Sequence, residues 1–377
     1  MTERMPAVVG LCWVVVVGCS AMGGGSRPAW VDGASQQYPT KAYLVGVGQA
    51  ESRAAAEDQA YAAVARVFKS EVSAQSKDME SYLVVEQQGR SRDERRLTLD
   101  NLTRVSTDKV LENVAIADRW FDKRKNLHHA LAVMDRSQAE AAVLERISGL
   151  DHAIQTDIEE ARAATDKLSK VRGLRRAEKN LMLRDTYNAD LRVIRTSGQG
   201  KETSYRVQEV SQELEQFLAS NFLINIQMTG EQAGPAHQAL SEGLIREGLQ
   251  VASRPDGTDV SSTTSPEMLV RGAVRVWPID VRDPQFTYVR WCSDMEVLDL
   301  GGQRVLGAIS KGGKEGHLSQ REATAKAVRV MQQEFSSNVA KAIAAHVYGE
   351  SELPAEATRS AGCPREGAGS KPPAATH

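Results

Sequence analysis

From Val143 to Ile194 apolar side chains recur at steps of mostly three and four residues: Ile147, Leu150, Ile154, Ile158, Ala161, Leu168 and Val171, then Leu174, Ala177, Leu181, Leu191 and Ile194. That spacing draws one stripe along an α-helix, whose turn takes about 3.6 residues. A helix of this length cannot leave its stripe in water, so it must fold back on itself. Residues 149–203 therefore read as a helical hairpin. Gly173 marks its turn, and Ser197-Gly198-Gln199-Gly200 ends it, because glycine stops a helix at little cost. The globular parts of the chain must lie before and after this arm.

At 377 residues there is room for two or three compact units. Charged residues make up 25% and nearly cancel to a net charge of -2. A nucleic-acid partner would require a basic excess, so none is expected.

The start of the chain decides the compartment. Arg4 and the amino terminus are positive, Ala7 to Val17 is apolar apart from Gly10 and Cys12, and Gly18-Cys19-Ser20 is small. This is the order of a secretory signal peptide. The core is too short to span a bilayer, which takes about 20 apolar residues. Val16-Val17-Gly18-Cys19 resembles the lipobox of bacterial lipoproteins. The resemblance implies that residues 1–18 are cleaved and that the Cys19 sulfur receives a diacylglyceryl group. The new amino terminus is then acylated, and no other cofactor is implied. Two or more chains anchor stably, whereas one gives an association constant of only about 10⁴ M⁻¹. Ser20 in place of Asp implies the outer membrane, on its periplasmic side. Residues 19–40 become a lipidated tether, flexible at Gly23-Gly24-Gly25-Ser26, and Trp30 is expected to dock on the body beyond it.

In that body Tyr43 to Gly48 reads as a buried strand. A helix opens at Ser52, with Ala56, Ala60, Val64, Val67 and Phe68 on one face. Val114 to Trp120 and Leu127 to Met134 form a hairpin around Asp122-Lys123-Arg124-Lys125-Asn126. Another helix opens near Ser137. Pro28-Ala29-Trp30, Tyr43-Leu44-Val45-Gly46-Val47-Gly48, the Ala-rich helix and the Trp120 hairpin returning as Ala130-Leu131-Ala132-Val133-Met134-Asp135 together resemble the LPP-twenty family of bacterial lipoproteins. The resemblance covers residues 27–148. It implies an α+β domain with a structural or assembly role at the envelope, since some members are associated with outer-membrane and flagellar structures. His128-His129 stands where that family more usually has aromatic residues.

The second unit, residues 204–349, begins with a helix to Leu218 and a strand from Phe222 to Met228. A helix follows from Pro235 to Arg246. Three strands then meander: Met268, Val270, Val274 and Val276 alternate with arginines, Val289, Trp291, Met295 and Val297 share a face, and Gly301-Gly302 turns into Val305 to Ser310. Ser319-Gln320-Arg321-Glu322 is a capping box opening a helix with Ala327, Val330, Met331, Phe335, Val339 and Ile343 inside. Its element order loosely resembles the curli-secretion and penicillin-binding-protein activator types of periplasmic lipoprotein. Residues 350–377 are expected to be disordered.

No catalytic constellation emerges. Gly46-Val47-Gly48 lacks the third glycine of a dinucleotide loop, and Glu51 in its place would repel a pyrophosphate; a tight strand-to-helix turn is the better reading. Gly307 to Gly312 has phosphate-loop spacing, but Gly313 replaces the lysine. It reads as a loop whose Lys311 and Lys314 could meet an anion. His128 and His129 point to opposite faces of a strand and cannot share a metal. His317 reads as a loop residue. Cys292 has no base paired with it by sequence. With Cys12 in the leader and Cys19 the lipid site, Cys292 and Cys363 are the only cysteines left, and one bridge between them is open in an oxidising compartment.

The expected molecule is thus α+β, two small α/β sandwich-type modules joined by a long helical hairpin behind a cleaved lipoprotein signal peptide. Its expected role is non-enzymatic, with the membrane, an envelope protein or a second copy as partner and with Trp30 and Trp120 as contact points. The alternative is a small ligand or peptidoglycan held between the modules. A hydrolase using Cys292 or a carboxylate pair ranks last.

Overall fold

Alternation and turn chemistry produce the first sheet. In the computed structural model, which describes residues 27–33, 35–67, 70, 108, 110–252 and 265–354, the strands are β1 (Tyr43–Ala50), β2 (Val114–Asp122) and β3 (Leu127–Asp135). They pair antiparallel in the order β1-β3-β2. β3 lies in the middle, with Tyr43 opposite Asp135 and Asp122 opposite Leu127. Asn126 closes the hairpin at φ 55°, the left-handed region that asparagine tolerates.

Helix α1 covers residues 53–67. Ser52 opens it, its Oγ accepting from the Ala55 amide at 3.3 Å. Ala56, Ala60 and Val64 pack on Ala130, Ala132 and Met134 of β3. Val67, expected on this face, is instead exposed, and Phe68 lies outside the described residues. Small side chains on both surfaces let helix and sheet approach closely.

The hairpin arms are α2 (Arg136–Ala163) and α3 (Lys167–Ile194), each about 42 Å long at 1.5 Å per residue. Asp135 caps the first, accepting from the Gln138 amide at 3.0 Å, and Asp166 caps the second, accepting from Ser169 at 2.8 Å. The turn is therefore at residues 164–166, and Gly173 lies inside α3. A Cβ on Gly173 would sit 2.8 Å from that of Ala161. The glycine serves close helix contact rather than chain reversal.

The two ends of the hairpin belong to different cores. Ile147, Tyr187, Leu191 and Ile194 pack with the first sheet and its helix. Ile154, Ile158, Leu168, Val171, Leu174, Ala177 and Leu181 pack with the second unit. The hairpin is thus a spine shared by two modules, and its stripe is covered from within the chain.

The second unit contains α4 (Val207–Asn221), β4 (Leu223–Thr229), α5 (Ala233–Arg246), β5 (Gln250–Val251), β6 (Met268–Ile279), β7 (Thr287–Asp299), β8 (Arg304–His317), α6 (Gln320–Glu334), a π-helical turn (Phe335–Val339) and α7 (Ala340–Val347). The strand order is β5-β4-β6-β7-β8. β4 pairs parallel with both neighbours, and the other pairs are antiparallel. Val289, Trp291, Met295 and Val297 enter the core with Ala327, Met331, Phe335 and Ile343. Val330 is only partly buried at its margin.

Two expectations fail here. Gly307 to Gly312 is the middle of β8, because β7 offers it an unbroken partner as far as Thr287 opposite His317. The chain is also packed beyond 349. Leu353 is buried, and the Pro354 carbonyl accepts from Ala308 at 2.8 Å. The rest of the expected tail, residues 355–377, lies outside the described residues.

Candidate functional site

Cys19, with Val16, Val17 and Gly18, lies outside the described residues. What the structure does show is where the chain behind that segment first binds the body. Pro28 leads into a short 3₁₀ turn, Ala29–Asp32. Trp30 lies buried against the face of the first sheet that α1 leaves free, and its indole N–H donates to Asp118 Oδ2 at 2.7 Å. A buried indole normally finds such an acceptor. Arg27 pairs with Asp32 beside it. Trp30 is therefore committed to the domain's own packing and is not offered as a contact. Asp118 had read only as a hairpin carboxylate; its partner lies 88 residues away, beyond the reach of any local pattern.

Trp120 is half-buried on β2, an outer strand of the sheet. Its ring lies 5.2 Å from that of His129, while on the opposite face Phe121 meets His128 at 4.6 Å. The two histidines do diverge as strand geometry requires. His129 is 5% exposed with no hydrogen-bond partner on either ring nitrogen. Burial pushes its pKa below the ordinary imidazole value. Beside this strand, Glu57 Oε1 accepts from Arg119 at 2.6 Å and Arg53 at 2.8 Å.

A polar depression of about 420 Å³ opens at the hairpin's base, lined by Lys41, Arg136, Glu140, Arg195 and neighbours. Arg136, Arg195 and Glu140 are already engaged. Arg136 donates to the carbonyls of Thr40 at 3.0 Å, Val193 at 2.9 Å, and Ile194. It thereby satisfies the last carbonyls of α3, where a cation is favoured. Burial lowers the Arg136 pKa. Arg195 holds Glu140 at 2.9 Å. One carboxylate, already paired, does not make an acid–base centre.

The remaining candidates resolve as structure. Gly46 and Gly48 lie within β1 beneath α1, opposite Ala132 and Ala130, rather than in a turn. Lys311 pairs with Glu334 at 2.6 Å, and Lys314 lies 4.5 Å over the Tyr288 ring. His317 ends β8, its Nδ1 2.8 Å from Glu322. Cys292 is buried and disulfide-bonded, so it is no free nucleophile. Among the described residues no group of three His, Cys, Asp or Glu is placed to hold a metal.

Residues 28–135 match the profile of the family described as LPP20 lipoprotein. That match agrees with the resemblance drawn from Trp30, β1, α1 and the Trp120 hairpin. No curated protein matches the chain in sequence. Among solved structures it is similar to the secreted protein HP1454 from Helicobacter pylori, at 14% identity over 81% of this chain and 98% of that one, with a TM-score of 0.38. It is also similar to a minor lipoprotein from Acinetobacter baumannii, at 10% identity over 33% and 93% with a TM-score of 0.25. A PelC dodecamer from Paraburkholderia phytofirmans is similar at 15% identity over 31% and 87%, with a TM-score of 0.21.

Proposed function

We propose that the protein is a lipoprotein held in the outer membrane by acyl chains on Cys19, with its body on the periplasmic side and a role that is positional rather than catalytic. The observation that carries this is one of order. A lipobox, Val16-Val17-Gly18-Cys19, stands directly ahead of a domain of a lipoprotein family at residues 28–135. Trp30 then fixes the chain to that domain, so few residues separate lipid from folded body. Among the described residues no helix is long and apolar enough to cross a membrane. The disulfide at Cys292 is of a kind that persists in oxidising compartments.

Anchoring to a surface raises effective concentration toward a partner without adding a contact. The partner in this reading is an envelope protein or a second copy of this chain, not a nucleic acid. The outer edge of β2, with Trp120 half-buried on one face and Phe121 exposed on the other, is the surface best suited to it. A ligand site between the modules has less support, because the hairpin's side chains fill that space as core.

The test is fractionation of wild type beside Cys19→Ala, with intact-mass measurement of the mature amino terminus. Wild type should sediment with membranes and begin at an acylated Cys19, and the variant should be soluble or uncleaved. Recovery of both from the soluble fraction would end the proposal.

A further inference from the structure

The polar depression at the base of the hairpin is rich in donors and poor in acceptors. Its cations are Lys41, Arg136 and Arg195, and Glu140 is its one carboxylate. Three positive side chains against one negative leave the lining cationic. We propose that this depression binds a phosphomonoester, carried either at the head of a lipid or on a soluble molecule. The site does not depend on the Cys19 anchor.

Both arginines are fixed before any ligand arrives. Arg136 uses Nε for the Thr40 carbonyl at 3.0 Å and Nη1 for those of Val193, at 2.9 Å, and Ile194. None of these partners is a carboxylate, so no opposite charge neutralises the guanidinium. Arg195 gives Nε to Glu140 at 2.9 Å and Nη1 to the carbonyls of Gln199 and Gly200, each at 3.2 Å. Among the described residues the Nη2 of each arginine has no protein partner, and neither has the exposed Lys41 ammonium. The hydroxyls of Ser137 and Thr196 complete the lining.

A phosphomonoester is the anion these donors suit. It presents three acceptor oxygens and carries roughly −1.5 to −2 charge at neutral pH. A guanidinium meets such oxygens with a planar pair of donors. A carboxylate has only two oxygens and would leave some of these donors idle. The groups that would oppose an anion are already covered. Arg136 caps the Val193 and Ile194 carbonyls at the end of α3, and the Arg195 amide takes that of Leu191. Ser137 lies in the first turn of α2, whose amide end favours negative charge. Because the arginines are held by the backbone, binding costs little side-chain ordering. The volume, about 420 Å³, falls in the range of about 300–1,000 Å³ usual for small-ligand sites.

The experiment uses the full-length protein in micelles of neutral detergent. Glycerol 3-phosphate should bind saturably and raise the Tm, as a ligand of the native state does, and acetate at equal ionic strength should do neither. In a second arm, phosphatidic acid doped into the micelles replaces the soluble ester, with phosphatidylcholine as the control. Lys41→Glu changes an exposed side chain, so it should keep the Tm of the unliganded protein. It should weaken binding about ten-fold, the loss of one charge-assisted hydrogen bond. Lys123→Glu makes the same charge change on the exposed turn between β2 and β3 and should bind as wild type does. Tighter binding in one arm supports the site and names the source of its phosphate. Lack of saturable binding in both arms, an equal response to acetate, or equal weakening by the two variants overturns the proposal.

Discussion

Arg184 on α3 reaches across the helical hairpin to Asp151 on α2, its Nε 3.0 Å from the carboxylate, and the arginine has no solvent exposure at all. Its Nη2 donates to the carbonyls of Lys201 at 2.9 Å and Glu202 at 2.6 Å, and its Nη1 lies 3.7 Å from Asp185. Lys201 returns its own ammonium to Asp151 at 2.7 Å. One guanidinium thus joins both arms of the spine to the strand of chain that leaves it for the second unit. Removing the buried guanidinium leaves the carbonyls of Lys201 and Glu202 without their donor and Asp151 with Lys201 alone, and breaking a buried pair costs about 3–5 kcal/mol. Arg184→Met should therefore destabilise the protein by about 3 kcal/mol, while Lys201→Ala, a more exposed partner, should cost less than about 1 kcal/mol. Urea unfolding of the two variants checks the contrast, and equal effects would deny the arginine its central place.

Trp30 makes a second long-range tie. Trp30→Phe keeps most of the buried ring and removes only the indole donor to Asp118, so it should cost about 1–2 kcal/mol. Trp30→Ala also empties the site and should cost about 3–5 kcal/mol. Thermal unfolding distinguishes them. If instead Trp30 served an external partner, both variants would keep the wild-type Tm and lose binding.

Gly48 shows why β1 carries glycine at all. A Cβ there would lie 2.1 Å from the Ala56 carbonyl oxygen and 2.4 Å from the Ala60 amide. Both neighbours are backbone and cannot step aside. Gly48→Ala should separate α1 from the sheet and destabilise the domain by about 3 kcal/mol, in the upper range of overpacking penalties. Gly149→Ala, where nothing lies within 4 Å, should be neutral or slightly stabilising, since alanine is the better helix former. Circular dichroism melts of both proteins test the pair.

These positions also show what the sequence could carry. Periodicity located the strands, the helices and the apolar stripe of the spine, because burial on one face writes itself into residue spacing. Capping was readable for the same local reason at Ser52 and Ser319. Gly173 was misread because a glycine required for helix contact looks the same, in one dimension, as a glycine that ends a helix. The Gly307–Gly312 run looked like a loop because nothing local reveals that β7 extends far enough to hold it straight. Glu350 read as tail, yet it is held by Arg175 and Lys179 from a distant helix. Partners such as Asp118 for Trp30, and Asp151 for Arg184, depend on the assembled fold. Cys19 is read from its motif alone and lies outside the described residues, and no site was legible as geometry.

Acid should act on the exposed cluster beside β2. Hydrogen bonds from Arg119, then Arg53, hold the Glu57 carboxyl at about 2, below its ordinary 4.5. A carboxyl depressed by folding adds stability above its unfolded pKa and loses it as pH falls toward the folded value. The advantage of wild type over Glu57→Gln should thus be full above pH 4.5 and vanish as the pH approaches 2. Because the cluster is exposed, added salt should shrink it at neutral pH. Denaturant midpoints of both proteins across that range measure it, and a constant difference would mean the arginines do not govern this carboxyl.

His129 should behave in the opposite chemical sense but lose stability in the same direction. Its ring is buried without a hydrogen-bond partner, against Trp120, and burial lowers its pKa from 6.5. The folded protein therefore resists a proton that the unfolded chain accepts. Stability is retained above pH 6.5 and falls as the pH drops from there toward the lower folded value. Phenylalanine fills a similar volume, brings no unsatisfied nitrogen and cannot titrate. His129→Phe should match or exceed wild type by about 1 kcal/mol at pH 8, and its advantage should widen below pH 6.5. Other histidines, such as the buried His346 and the half-buried His237, are common to both proteins and cancel in the difference. Should the gap stay constant with pH, or should the variant be less stable throughout, the imidazole must hold a partner that neither the strand nor Trp120 supplies.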